Sequence, residues 1–295
     1  MKDIELICPS CHGSCRSNER AYNCTVCHMV YPIIKGKPIM RKFKSDELAE
    51  THGGDWLDGI KSAVKKYPNL YKFITQIISP VCPSIHHSYK DALALVSCEN
   101  SRVINIGSGI TSLNPAFINF DYYPYENVDI VGDVHKLPFP DNYFDAVINI
   151  VMLEHISEPE KAVNEMWRVL KQDGIIYSVA PFIVGFHASP GDFQRWAFPG
   201  IERLHKGFKK LDTGVFGGPT SGMLWIWQEW LAMLISFGVK PLYQFWYIVI
   251  MLLTWPIKYL DLLLVKHSAA MNIASSFYFI GRKCAEGEYL TGKST

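Results

Sequence analysis

The sequence has almost no excess charge: 29 lysines and arginines stand against 28 aspartates and glutamates in 295 residues. Without a one-signed field, nothing in the composition points to nucleic acid as a partner. The local basic clusters at 35–44 and 203–210 read as solvated faces. The opening residues, MKDIELICPSC, lack an apolar run behind a basic patch, so a cytoplasmic location is expected rather than a secretory leader. Eight cysteines are too few for a disulfide scaffold, and five of them crowd residues 8–27, as in a metal site in a reducing compartment. Internal repeats and low-complexity tracts are also missing.

Charge is scarcest late in the chain. Between Asp212 and Lys258 only Glu229 and Lys240 are charged, and Trp225, Trp227, Trp230, Trp246 and Trp255 all lie there. The uncharged run from Pro241 to Ile257 would be about 25 Å long as a helix, just short of a bilayer core. Pro256 and the Phe237-Gly238 pair break the stretch, which predicts a helical hairpin over 223–265. Its tryptophans, with Lys240, Lys258 and Lys266, suit peripheral membrane contact. A homodimer seam, a buried helical pair and a true span account for the same residues.

At the other end, Cys8-Pro9-Ser10-Cys11 and Cys24-Thr25-Val26-Cys27 form two Cys-x-x-Cys knuckles with 12 residues between them. Each turn presents two thiolates at a spacing that suits one tetrahedral ion. The first 44 residues have few large apolar groups and need such a staple to fold. A structural zinc on Cys8, Cys11, Cys24 and Cys27 is therefore expected, with Cys15, His12 and His28 outside its shell. Four thiolates leave no open position, so this metal is not catalytic. With the following YPIIKGKPIM at 31–40, the segment resembles the small zinc-ribbon activator subunit of tRNA and translation-factor methyltransferases. That resemblance implies a scaffolding role, here fused to its partner in one chain.

From residue 45 to about 99 the apolar residues recur at helical spacing. From Arg102 the texture becomes short buried runs: VINIG, FINFD, VDIVGD, FDAVINI and IIYSVAPF, then SSFYFIGRK near the end. A helix at Pro159 to Lys171 links two of them as a βαβ unit. Gly107 and Gly109 follow the first strand, where a missing Cβ lets a ligand reach the backbone. The next strand ends in Asp121, suited to a ribose, and a third in Gly132-Asp133-Val134. Three strand ends thus deliver polar groups to one edge.

Over about 100–284 the chain resembles the class I S-adenosylmethionine-dependent methyltransferases of the type 11-like kind, most clearly in VGDVHKLPFPDNYFDAVINIVMLEHISEPEKAVNEMWRVLKQDG. The resemblance implies an S-adenosylmethionine cofactor, with Gly107 and Gly109 under its methionine part, Asp121 on the ribose, and Asp133 and Val134 at the adenine. Asn105 stands where the family usually has an acidic residue for the cofactor's ammonium, and Thr111 where it has a third glycine. Asp145 is expected to fix a strand start rather than touch ligand.

Only 12 positions separate Gly109 from Asp121, and 12 more separate Asp121 from Asp133. That is too little chain for two crossover helices, so these are expected to be reduced to turns, with the preceding helical segment covering the exposed face. The expectation is an α/β, Rossmann-like methyltransferase sheet with reduced early crossovers. A zinc ribbon at 1–44, a helical cover at 45–99, a methyltransferase domain at 100–284 with the apolar insertion at 223–265, and a tail at 285–295 complete it. Methyl transfer needs a positioned acceptor, excluded water and, for some acceptors, a base. His155, His187, Asp192 and Arg195 fall at the catalytic edge and are the candidates; Asp192 and Arg195 also have the spacing of a local ion pair. Gly217-Gly218-Pro219 reads as a pocket rim or a plain turn. The expected acceptor is a small or lipid-linked apolar molecule. The rival reading is an inactive S-adenosylmethionine-binding module that recruits a partner through its ribbon.

Overall fold

The computed structural model describes residues 4–42, 79–82, 87–96, 101–187 and 191–284. Most of the expected helical cover, Ser189 and Pro190, and the tail at 285–295 lie outside them. The cysteine-bearing segment folds as four short antiparallel strands, β1 (Cys15–Ser17), β2 (Ala21–Cys24), β3 (Val30–Ile34) and β4 (Lys37–Met40). The larger unit has β5 (Val103–Ile106), β6 (Ile118–Asp121), β7 (Ile130–Gly132), β8 (Phe144–Ile150), β9 (Leu170–Pro181), β10 (Phe208–Gly217) and β11 (Ser276–Lys283). Their order is β1-β2-β3-β4-β7-β6-β5-β8-β9-β11-β10. The strands from β7 to β9 run parallel, as expected for the Rossmann-like sheet, while β11 is antiparallel to both β9 and β10.

The two early crossovers are indeed turns, since no helix lies between β5 and β6 or between β6 and β7. The face left bare beside β5 is covered in part by α1 (Tyr89–Leu93), capped by Ser88 and Asp91 in a reciprocal capping box. Ala92 of α1 is buried with Val103, Phe117 and Tyr177, and Tyr89 meets Phe117 edge-on. On the opposite face α2 (Pro159–Val169) buries Ala162, Val163, Met166 and Val169 against the sheet. The helix ends two residues earlier than its periodicity suggested, because Leu170 already pairs with Phe144 as a strand residue. Asp145 accepts from Arg102 N and pairs with Lys171, so it fixes a strand start as expected.

Strand β10 has no counterpart among the runs singled out in the sequence. It is an edge strand whose Lys209 and Lys210 are exposed, and their charge masked its pattern. Before it comes α3 (Phe198–Leu204). The apolar insertion then forms α4 (Pro219–Ile235) and α5 (Lys240–Thr254), joined through Phe237 and Gly238 at positive φ, as the sequence break predicted. A 3-10 turn over Trp255–Leu260 and α6 (Asp261–Leu264) complete it. Asp261 is buried and accepts from Thr220 N, Ser221 N and Ser221 Oγ at 2.6–2.9 Å. The end of the insertion thus satisfies the open amides at its own start. Lys258 is buried too and donates to the Ser79 carbonyl, so it does not reach outward as an interfacial lysine would.

The ribbon does not hang from the sheet. Its last strand β4 lies parallel to β7, with Ile39 opposite Val131 and Met40 opposite Gly132, and both residues of β4 are fully buried. Lys37 donates to the carbonyls of Tyr125, Glu126 and Val128, and Arg41 donates to Tyr122 O while lying 3.9 Å above that ring.

Candidate functional site

At the C-terminal ends of β5, β6 and β7 a cavity of about 360 Å³ opens. Gly107, Gly109, Asp121, Asp133 and Val134 line it, together with Tyr122, Tyr123, Tyr125, His135, Met152 and His155. Gly107 has φ +71°, and a Cβ there would lie 2.3 Å from Met152 Cγ. Gly109 is also left-handed, with open space where its Cβ would be. The turn therefore exposes backbone to the cavity, which a side chain at Gly107 would close.

Asp121 is 8% exposed and is held from two sides: Oδ2 accepts from Gly109 N at 2.8 Å and Oδ1 from Tyr123 N at 3.0 Å. Burial raises its pKa, and the backbone N–H donors oppose that rise. Each oxygen keeps a lone pair for a ligand hydroxyl. Asp133 caps the following 3-10 turn through His135 N and also accepts from His135 Nδ1 at 2.7 Å. His135 Nε2 is left buried without a partner in the protein. In the sequence this histidine has no signal beyond its place two residues after Asp133. Asn105 is not brought to the cavity. It is buried in the sheet and donates to Asn119 Oδ1 on the neighbouring strand.

The second group of candidates converges beside the first. His155 and His187 meet edge to face with ring centroids 5.2 Å apart. Their Nε2 atoms lie 3.8 and 3.7 Å from the same oxygen, Oε1 of Glu154, a residue the sequence reading passed over. Asp192 Oδ2 accepts from His187 N, and both its oxygens pair with Arg195, the local ion pair foreseen from their spacing. That guanidinium holds the Asp192 carboxyl well below the usual carboxylate range. Glu154 beside His187 raises the imidazole's pKa, against the opposing effect of burial. Trp225 packs behind His187 at 5.5 Å between ring centroids, so this tryptophan serves the site and not an outer surface. Gly217-Gly218-Pro219 does not line the cavity; it is the close-packed junction of β10 and α4, where a Cβ on Gly218 would strike the Asp261 carboxylate.

In the ribbon, the sulfurs of Cys8, Cys11, Cys24 and Cys27 all lie within 4.8 Å of one another, with Cys8–Cys27 and Cys11–Cys24 at 3.5 Å. A tetrahedral zinc with sulfur bonds of about 2.3 Å needs edges of about 3.8 Å. The four thiols thus fit one such ion. His12 and His28, which follow the two knuckles, both take positive φ where each knuckle turns back.

Residues 111–178 match the family described as "Methyltransferase domain". A stretch of 72 residues is 33% identical to the ubiquinone/menaquinone biosynthesis C-methyltransferase of Vibrio cholerae, covering 22% of this chain and 28% of that protein. Its Chromobacterium violaceum counterpart is 47% identical over 47 residues, 16% of this chain and 19% of its own length. The chain thus spans under a third of the curated relatives it matches. Among solved structures it is similar to phosphoethanolamine N-methyltransferase 2 of Haemonchus contortus, with 16% identity, TM-score 0.44, and coverage of 84% of this chain and 62% of that one. A Haloferax volcanii complex of a methyltransferase activator with a methyltransferase is similar at 14% identity, TM-score 0.42, over 79% and 97% of the two chains. By its strand order, its mixed sheet and the matched segment, this chain has the Rossmann-like methyltransferase fold.

Proposed function

We propose that the protein transfers a methyl group from S-adenosylmethionine to an apolar acceptor. One observation carries the reading: the ends of three successive strands bring an open glycine backbone, a buried Asp121 and the Asp133-Val134 turn to one cavity, with a histidine pair at its side. Gly107 and Gly109 would lie under the methionine part of the cofactor, Asp121 would take the ribose hydroxyls, and Asp133 with Val134 the adenine. His155 and His187 would face the acceptor, with the Asp192–Arg195 pair holding the segment that carries His187. Since methyl transfer is an in-line displacement at an already activated carbon, positioning and water exclusion are the main demands on the protein.

The ribbon cysteines would hold a structural zinc, whose binding energy becomes folding energy for strands too short to pack unaided. The 219–264 insertion would supply the apolar contact. Phe237, Leu253 and Leu263 are each at least 74% exposed, and the helical stretch Lys240–Leu264 is long and apolar enough to cross a membrane by length and composition. Peripheral contact at the interface fits the exposed face of both helices and an acceptor drawn from lipid.

The inactive-module reading draws on Asn105, which is spent on Asn119 and offers the cofactor's ammonium nothing. Two measurements separate the readings. Calorimetry with S-adenosylmethionine tests the pocket, and labelled methyl transfer into separated lipid, glycan, protein and RNA fractions of a lysate tests catalysis. Binding without transfer into any fraction supports the inactive module; absence of binding removes both.

A further inference from the structure

Glu154 is an anomaly. It is fully buried, and neither carboxylate oxygen has a hydrogen-bond partner in the protein. A buried carboxylate without a counter-charge costs several kcal/mol unless it takes up a proton, so one stays charged only where something cationic meets it. What meets it here are two imidazole nitrogens.

The hydrogen bonds of those rings fix which atom carries the proton. His155 Nδ1 faces the Gly191 carbonyl at 2.5 Å, and His187 Nδ1 faces the Gly185 carbonyl at 2.9 Å. A carbonyl only accepts, so both Nδ1 atoms are donors; at His187 the Gly185 carbonyl at 2.9 Å outweighs Arg195 Nη2, a donor at 3.5 Å from the same Nδ1, and in neutral rings both Nε2 atoms carry lone pairs. These two nitrogens lie 3.8 and 3.7 Å from Glu154 Oε1. Three acceptors thus face one another, too far apart for a hydrogen bond. A tetrahedral ion with bonds of about 2.1 Å would place neighbouring ligand atoms about 3.4 Å apart. Imidazoles that donate their second nitrogen to a backbone carbonyl are in the arrangement that orients metal ligands.

We propose that Glu154, His155 and His187 hold a first-row divalent cation. Two imidazoles and one carboxylate leave at least one coordination position open. His155 lines the cavity, which puts the cluster at the side of the proposed cofactor pocket. An oxygen of the acceptor would complete the shell there, and the ion would increase the acidity of its hydroxyl. On binding, the oxygen's proton leaves to solvent. In the transfer a bond forms between acceptor and methyl carbon, the carbon–sulfur bond breaks, and its electron pair stays on sulfur as a neutral thioether. This last step rests on the methyl-transfer reading; the ion site does not.

The test is calorimetric titration of Zn(II) and, separately, Mn(II) into full-length protein whose ribbon cysteines are already loaded with zinc. The expected result is one further equivalent of at least one of the two ions. Its affinity should fall at least tenfold in both Glu154→Gln and His187→Gln. Thermal unfolding gives the second readout: the added ion should raise the wild-type midpoint and leave that of Glu154→Gln unmoved. No further equivalent of either ion, or one indifferent to both substitutions, overturns the proposal and assigns the cluster to a shared proton. An ion that binds as expected in a protein that transfers no methyl group would leave the site standing and remove the methyl-transfer reading alone.

Discussion

Met40, at the end of the cysteine-bearing segment, is the parallel-strand neighbour of Gly132, and Gly132 is followed directly by Asp133 at the cavity. Through this pairing and the Lys37 and Arg41 contacts with 122–128, the ribbon braces one wall of the pocket. Stripping the proposed zinc should therefore weaken more than the ribbon. In zinc-depleted protein, or in Cys8→Ser, S-adenosylmethionine affinity should fall several-fold, read by calorimetry alongside metal content. Unchanged affinity with an unfolded N-terminal segment would show that β4 is dispensable to the pocket.

Asp121 closes the glycine turn and lines the cavity where the proposed cofactor would sit. Asp121→Ala should cost about 1.5–3 kcal/mol of cofactor binding, tenfold or more in Kd. Asp133→Ala should cost less, because one of its oxygens is already occupied by His135 twice. Equal losses in the two variants would argue against this division of labour.

Gly107→Ala joins two penalties, a left-handed backbone at φ +71° and a Cβ 2.3 Å from Met152 Cγ. The expected loss is about 1–3 kcal/mol of stability together with cofactor binding. Gly109→Ala meets no neighbour and should lose only the smaller backbone part. Thermal unfolding of both variants, with and without cofactor, checks the order.

His205 is 1% exposed, donates from Nδ1 to Ile201 O, and accepts at Nε2 from Ser178 Oγ at 2.8 Å. Burial pushes its pKa down to about 4. The unfolded chain takes up a proton near pH 6.5, whereas the folded chain resists until about pH 4. Stability is thus full above pH 6.5 and falls between there and pH 4, by up to about 3 kcal/mol. Denaturant unfolding across that range should show the slope, and His205→Gln should remove about one proton from it.

The exposed residues of the insertion give the membrane test its variants. Trp246 and Trp255 are only partly exposed, whereas Phe237, Leu253 and Leu263 are open. Wild-type protein should co-sediment with liposomes, and Phe237→Glu with Leu253→Glu should abolish that while sparing cofactor binding. A monodisperse dimer that ignores liposomes and dissociates in the double variant would assign the face to a subunit seam.

Local chemistry determined much of this molecule. The two knuckles could converge only as four thiols, the short β-branched runs could pack only as buried strands, and the 12-residue spacings left no room for crossover helices. Glycines after β5 and carboxylates after β6 and β7 mark the cavity because backbone conformation and strand polarity are near-sequence properties. Tertiary structure decided the rest. Glu154 reads in sequence as one more helix-flanking acid, and only the placement of His187 beside it sets it against two imidazoles. Asn105 looks like a cofactor ligand until the neighbouring strand supplies Asn119. Lys258 looks like an interfacial anchor until its stem is buried and Ser79 O is found at its tip. In each case the deciding term is the partner of a buried polar group. That partner comes from a distant part of the chain, and no local pattern encodes it.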